Sequence, residues 1–409
     1  VTDADPLSDT GSRASATSWP IVLCWLAVAL EGFDLVVLGA TIPTLSRTDA
    51  LGFTDASLTT ASTVGLVGVG IGAASIGPVT DRFGRRRTLL ACVAWFSLLT
   101  IATAVAPTKE AFVLIRFVAG LALGAVLPIA LTYMSEHAPR GGNARAVTRT
   151  MTGYHVGAVL TALLGLLLLE PLGWRAMFWV GGLAGLLVLP LMWARLPESQ
   201  AYLRADHDER TRTSDVVRGR LLWVSVGLWV ASFMGLLLVY GLNTWLPKIM
   251  GEAGYSIEAG TALLLVLNVG AVLGLLLAGV VSDARGNKPT LLVWFALAAV
   301  FLSLLSIKLQ ATPLVYVAVL LTGIFVFSAQ VLVYAFVGQL YPPQIRGTAL
   351  GLSSGVGRLG AISGPFLGGV LVTAGISYPW GFYAFALAAA LAVVALVLVP
   401  ARTEPATAG

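Results

Sequence analysis

Gly77-Pro-Val-Thr-Asp81-Arg-Phe-Gly84-Arg-Arg-Arg-Thr-Leu-Leu90 and Gly279-Val-Val-Ser-Asp283-Ala-Arg-Gly286-Asn-Lys-Pro-Thr-Leu-Leu292 are one stretch written twice. At an offset of 202 residues, seven of the fourteen positions are identical, with Asp81 falling on Asp283 and Gly84 on Gly286. Each copy joins two long apolar runs at equivalent places in the chain. Such a duplication predicts two pseudo-equivalent bodies with a cavity between them, rocking to open it to either side in turn.

The solvent around those bodies is lipid. Charged residues are 11% of the 409, against about 25% in a soluble domain. Hydrophobic residues are 57% and mean hydropathy is +0.88, more apolar side chain than a water-soluble fold of this size can cover. Twelve apolar segments are long enough to cross a hydrocarbon layer about 30 Å thick, which takes roughly 20 helical residues. The first six are 19–45, 57–79, 88–106, 111–134, 146–169 and 174–195. The second six are 221–249, 258–282, 289–307, 313–340, 348–374 and 378–399. The runs are continuous and do not alternate, so they read as helices and not as barrel strands. Glycine spacings such as Gly65-x-x-Gly68 and Gly120-x-x-x-Gly124 suit close helix packing in lipid. The fold class expected is an all-α membrane protein, twelve transmembrane helices in two pseudo-symmetric six-helix bundles.

Counting cations orients it. Eighteen Lys and Arg fall in the tails and the even-numbered turns, five in the odd-numbered turns, and Arg116 and Arg358 lie inside segments. Positive residues stay in the cytoplasm, so both termini and the central polar stretch are expected there. The division is then a cytoplasmic tail 1–18, a bundle 19–196, a linker 197–220, a second bundle 221–400 and a tail 401–409. No cleavable signal peptide is apparent, since the first apolar run is too long for one. The net charge of +5 reads as this topology signal and not as a nucleic-acid surface, because no aromatic residues interleave with the basic ones. Cys24 and Cys92 each sit in an apolar run, which excludes a disulfide framework and leaves packing roles. There is no phosphate-binding Gly-Lys-Ser/Thr loop and no His/Cys cluster, so neither an ATP-driven pump, a metal site, a cofactor nor an enzyme is expected.

Two carboxylates stand out physically. Of the acidic residues, only Glu31 and Asp34 lie in the middle of an apolar segment, where a charge costs a few kcal/mol and marks function by default. Their spacing puts both on one helix face, where in low dielectric they are expected to share a proton over part of the pH range. That is what a proton carrier needs; the bland alternative is an ion pair with Arg116, and an arginine that leaves on protonation would reconcile the two. Arg358 can hold a carboxylate through a planar fork. At an offset of 203, Tyr154-His155-Val-Gly157-Ala158 aligns on Gly357-Arg358-Leu-Gly360-Ala361, which sets His155 opposite Arg358 in the pseudo-symmetry.

The Gly-x-x-x-Asp-Arg-x-Gly-Arg-Arg pattern after the second segment resembles the signature loop of the major facilitator superfamily, and the copy after the eighth is its weaker counterpart. The resemblance covers essentially the whole chain. It implies a gating latch at Asp81, Arg82, Gly84, Arg85 and Asp283, joined by Glu136, Arg145 and Arg346; solvated loop charges are the alternative for the last three. In the first segment the chain reads Glu31-Gly32-Phe33-Asp34, and in the seventh Tyr240-Gly-Leu-Asn243-Thr-Trp245-Leu-Pro247. The eleventh reads Gly357-Arg358-Leu-Gly360-Ala-Ile-Ser-Gly364-Pro365. Together these resemble the aromatic acid:proton symporters, which import benzoate, hydroxybenzoates, protocatechuate and gentisate. That group's first-helix pattern is usually Asp-Gly-x-Asp; glutamate at the first place keeps the carboxylate and lengthens its reach.

The chain is therefore expected to be a monomeric, proton-coupled importer of aromatic monocarboxylates. Glu31, Asp34 and Arg116 would couple the proton. Arg358, His155, Asn243, Trp245, Tyr240, Phe33, Gln330 and Tyr334 would hold the substrate, with Tyr154, Phe325 and Phe327 as further aromatic candidates. The rival reading is another porter of the superfamily, for a nicotinate-like acid, a sugar or a drug for export. An anion channel is a third, disfavoured because the paired carboxylates would repel permeating anions.

Overall fold

The computed structural model describes residues 19–48, 50–138, 141–204, 216–255, 257–308 and 312–401. The expected tails, Ala401 apart, and residues 205–215 of the expected linker lie outside the described residues.

Local chemistry sets where the helices start and stop. The first two are α1 (Trp19–Arg47) and α2 (Asp55–Phe83). Thr54 caps α2 by accepting from the Ser57 N–H, and the Ser57 hydroxyl accepts from the Thr54 N–H in return at 2.7 Å. At its other end α2 outruns its apolar segment and stops at Gly84, whose φ of +92° turns the chain directly into α3 (Arg85–Ala104). Thr108 then caps α4 (Lys109–His137), and α5 (Asn143–Leu172) and α6 (Trp174–Arg195) complete the first bundle. A short helix, α7 (Gln200–Arg204), comes next. The second bundle comprises α8 (Gly219–Glu252), α9 (Ile257–Arg285), α10 (Asn287–Leu305), α11 (Thr312–Leu340), α12 (Pro343–Thr373) and α13 (Ser377–Leu398).

Eleven of these helices are long and apolar enough to cross a membrane. The remaining long helix, α5, has 30 residues, but Arg145, Arg149, Tyr154 and His155 occupy its first half and shorten its unbroken apolar run. Packing repeats between the halves: α1 on α5, α2 on α4 and α3 on α6 correspond to α8 on α12, α9 on α11 and α10 on α13. The glycine spacings act at these contacts. A Cβ at Gly124 would lie 1.9 Å from the Val69 carbonyl oxygen, so α2 and α4 touch through their backbones. Leu187, Trp223, Phe366 and Leu398 stand exposed on the outer surface, the apolar coat that lipid requires. The bundles meet through α2 against α12 and α5 against α9.

Candidate functional site

Halfway along the helices, buried polar residues from both bundles converge. Backbone contact places them: a Cβ at Gly32 would sit 2.3 Å from the Tyr154 carbonyl oxygen, so α1 and α5 lie edge to edge where Glu31 and Tyr154 emerge. Glu31 is fully buried, and its carboxylate stands 3.6 Å from the Arg358 guanidinium across the bundle interface. Arg358 also donates to the Tyr240 hydroxyl at 3.2 Å. Tyr154 lies beside Tyr240, Arg358 and Glu31, and Tyr334 lies beside Arg358, Gln330 and Ser232. Hydrogen bonding here is incomplete. Neither oxygen of Glu31, nor Arg358 Nε, nor Gln330 Oε1 has a hydrogen-bond partner. Buried polar atoms are ordinarily satisfied, so this cluster has capacity for something that brings donors and acceptors with it.

Asp34 does not share this site. Its carboxylate pairs with Arg116 and accepts from the Thr100 hydroxyl, while Arg116 Nη2 donates to the Asp34 carbonyl at 3.0 Å. The Arg116 guanidinium lies over the Phe178 ring at 5.7 Å, within the first bundle. The spacing predicts two carboxylates sharing one proton, with an ion pair to Arg116 as the alternative; in the structure Asp34 makes that ion pair and Glu31 meets Arg358. Residues three apart on a helix differ by about 60° around its axis, enough to face different neighbours. Thr100 and Ser232 had no part in the sequence reading. The signal for Thr100 was a polar row, Ser97, Thr100 and Thr103, in an apolar run.

The remaining candidates divide. His155 faces Phe327 across the interface, ring centroids 6.2 Å apart, so both belong to the central cluster. Gln330 donates to Ser232 at 3.4 Å. Asn243 donates to Val239 of its own helix and accepts from Asn268 on α9 at 3.1 Å. Trp245 donates to the Pro365 carbonyl at 2.7 Å, and its ring fills the space beside Gly368, which joins α8 to α12. Phe33 packs against Gly181 inside the first bundle, and Phe325 packs on Trp294 and Phe301 inside the second.

At the basic-turn ends, the duplicated stretch grips the opposite bundle. Asp81 accepts the N–H groups of Gly347 and Thr348 at 3.2 and 2.8 Å and the Thr348 hydroxyl at 2.7 Å. The fully buried Arg85 lies 3.1 Å from Asp81 and 2.9 Å from Glu136, and Arg346 approaches Glu136 at 3.8 Å. In the second copy, Asp283 accepts from the N–H groups of Ala144 and Arg145, the free donors at the start of α5. A Cβ at Gly77 would lie 2.2 Å from Thr348 Cα, and one at Gly279 2.8 Å from Arg145 Cα, which is why each copy opens with glycine. Glu198, just after α6, accepts the first N–H groups of α3 from Arg85 and Arg86, and it lies against Gly84. Arg82 is exposed, its carbonyl accepting from the Tyr202 hydroxyl. The two copies thus tie the bundles together at the basic-turn ends, with the charges of Asp81, Arg85 and Glu136 buried at the seam.

A family model of the Major Facilitator Superfamily matches residues 24–275 and 261–409. The chain is 30% identical to the benzoate transport protein of Acinetobacter baylyi, over 93% of this chain and 89% of that protein. It is 33% identical to the gentisate transporter of Corynebacterium glutamicum, over 95% of this chain and 88% of that one. Among solved structures, the proton:xylose symporter XylE bound to 6-bromo-6-deoxy-D-glucose aligns with a TM-score of 0.76 at 18% identity, covering 93% of this chain and 95% of the other.

Proposed function

The chain belongs to the Major Facilitator Superfamily, and from that premise we propose that it imports aromatic monocarboxylates together with protons, by alternating access between its two bundles. Substrates of the benzoate, hydroxybenzoate, protocatechuate or gentisate type fit this reading. The observation that carries it is the Glu31–Arg358 pair at 3.6 Å between the bundles. Arg358 is the planar fork for a carboxylate, and Glu31 is the competitor that occupies it when no substrate is bound. Adding a proton to Glu31 releases the fork, so acidification on the loading side favours substrate. Tyr154, Tyr240, Tyr334, His155 and Phe327 surround the fork with rings, and Gln330 supplies an open acceptor.

Asp34 is the obligatory proton site in this reading, with Arg116 freed as Asp34 is neutralised, and Glu31 tunes the pH range. The substrate enters as an anion against an inside-negative potential worth about 2.3 kcal/mol per charge per 100 mV, and one proton cancels that charge. The cation asymmetry supports a cytoplasmic placement for both termini and the latches, in the inner membrane of the cell, with bundles 19–196 and 221–400 joined by 197–220. The working unit is a monomer.

Purified protein in vesicles tests the reading. Labelled benzoate should accumulate under an imposed inward proton gradient and lose that accumulation with a protonophore; a channel would equilibrate substrate and never concentrate it. Arg358→Ala should weaken binding more than Arg358→Lys, and equal near-wild-type affinity in both would remove Arg358 from the substrate site. Asp34→Asn should abolish uphill uptake while sparing exchange at equal pH.

A further inference from the structure

Beside the Asp34–Arg116 pair, between α1, α2 and α4, lies a recess of about 170 Å³. Gly39, Ser62, Gly65, Leu66, Arg116 and Gly120 contribute to its wall. It is small because helices enclose it and open because glycines line it: a Cβ at Gly39 would meet nothing within 4 Å, and one at Gly65 only Arg116 atoms at 4.0 Å. Gly39 and Leu66 are exposed, whereas Arg116 is 4% exposed, so the recess leads inward from the surface to the guanidinium. Arg116 stands seven residues into α4, about 10 Å from the helix start on the side away from the basic turns. Its Nε is buried and has no hydrogen-bond partner.

We propose that this recess is a hydrated branch that delivers protons to Asp34 without passing Arg358. The inference rests on Asp34 being the proton site. A buried N–H without a protein partner beside space for several waters is where ordered water belongs, since one water takes about 30 Å³ of liquid volume. Around Asp34, α4 presents Arg116, α3 presents Thr100, and α6 presents Phe178 to Arg116; Glu31, one turn away on α1, is committed to Arg358. Asp34 is only 1% exposed, so its proton must come through such a branch or wait for the bundles to part. A separate branch lets the proton load while substrate occupies Arg358. The order of loading is then free.

The open space at Gly39 and Gly65 gives the test, because added methyl groups fill the recess without displacing backbone. Gly65→Ala and Gly39→Val are expected to slow proton-gradient-driven uptake, and substrate-induced acidification of the vesicle interior, several-fold. Substrate exchange at equal pH should stay at the wild-type rate, which also verifies folding. Separately, Gly39→Cys and Gly65→Cys should react with a small charged thiosulfonate, against a low background because Cys24 and Cys92 are buried. Wild-type gradient-driven rates in both filled variants would overturn the branch, as would cysteines that react with an apolar maleimide but not with the charged reagent. If the wild-type protein itself moves no protons with substrate, the symport reading fails first and takes this inference with it.

Discussion

Asp81 accepts the N–H groups of Gly347 and Thr348, and Asp283 accepts those of Ala144 and Arg145, each 203 residues before its counterpart. The backbone halves of the two latches are therefore the same. Their side chains are not. Where the first latch buries Arg85 between Asp81 and Glu136, the second has Asn287, which donates to Gln339 at 2.6 Å. Its arginine, Arg145, stands 3.6 Å from Asp283 with 44% of its side chain exposed. Duplication thus preserved the geometry that lets a carboxylate hold a helix start, while the surrounding charge diverged. A buried charged cluster adds little net stability when complete and costs much when one member is lost; a neutral amide pair costs less to break. Under the proposed alternating access, the first latch suits switching and the second aligning.

The sharpest way to break this comparison is to delete the cation. Arg85→Ala leaves Asp81 buried without its cation and Glu136 with Arg346 alone, and should cost about 3–5 kcal/mol, against about 1 kcal/mol for Asn287→Ala. Thermal unfolding of the purified proteins compares them directly, and similar losses would mean that the two latches are energetically alike.

Removing only the carboxylate charge gives the next largest effect. Asp81→Asn weakens charge-assisted bonds worth about 2 kcal/mol, which under the proposed alternating access should shift the equilibrium toward the open basic-turn side by more than about tenfold. Transport should slow while substrate affinity stays near normal. Asp283→Asn should act in the same direction but more weakly. Thiol accessibility at the basic-turn side, read beside uptake rates, separates the two variants, and an unchanged Asp81→Asn protein would reduce the first latch to a topology element.

The smallest effect is expected at Arg145. An ion pair this exposed contributes less than about 1 kcal/mol, so Arg145→Ala should leave stability and transport close to wild type. A large loss there would show the second latch to be as charge-dependent as the first.

Much of this architecture is legible in the order of residues alone. Lipid as solvent demands long apolar runs, so the helices announce themselves, and the same demand makes Glu31, Asp34, Arg116 and Arg358 conspicuous against them. The repeated Gly-x-x-x-Asp carries the twofold plan, because close helix approach needs glycine and the opposing N–H groups need an acceptor. The pairing of charges is not legible there. Glu31 and Asp34 share a helix stripe in the sequence, yet one meets Arg358 across the interface and the other Arg116 within its bundle. Trp245, in a stretch that reads as a substrate wall, spends its N–H on Pro365. Helical periodicity says which residues lie on one face. Only the rotation and crossing of neighbouring helices decides what that face meets, and a difference of about 60° around the axis sufficed to send two neighbouring carboxylates to different arginines.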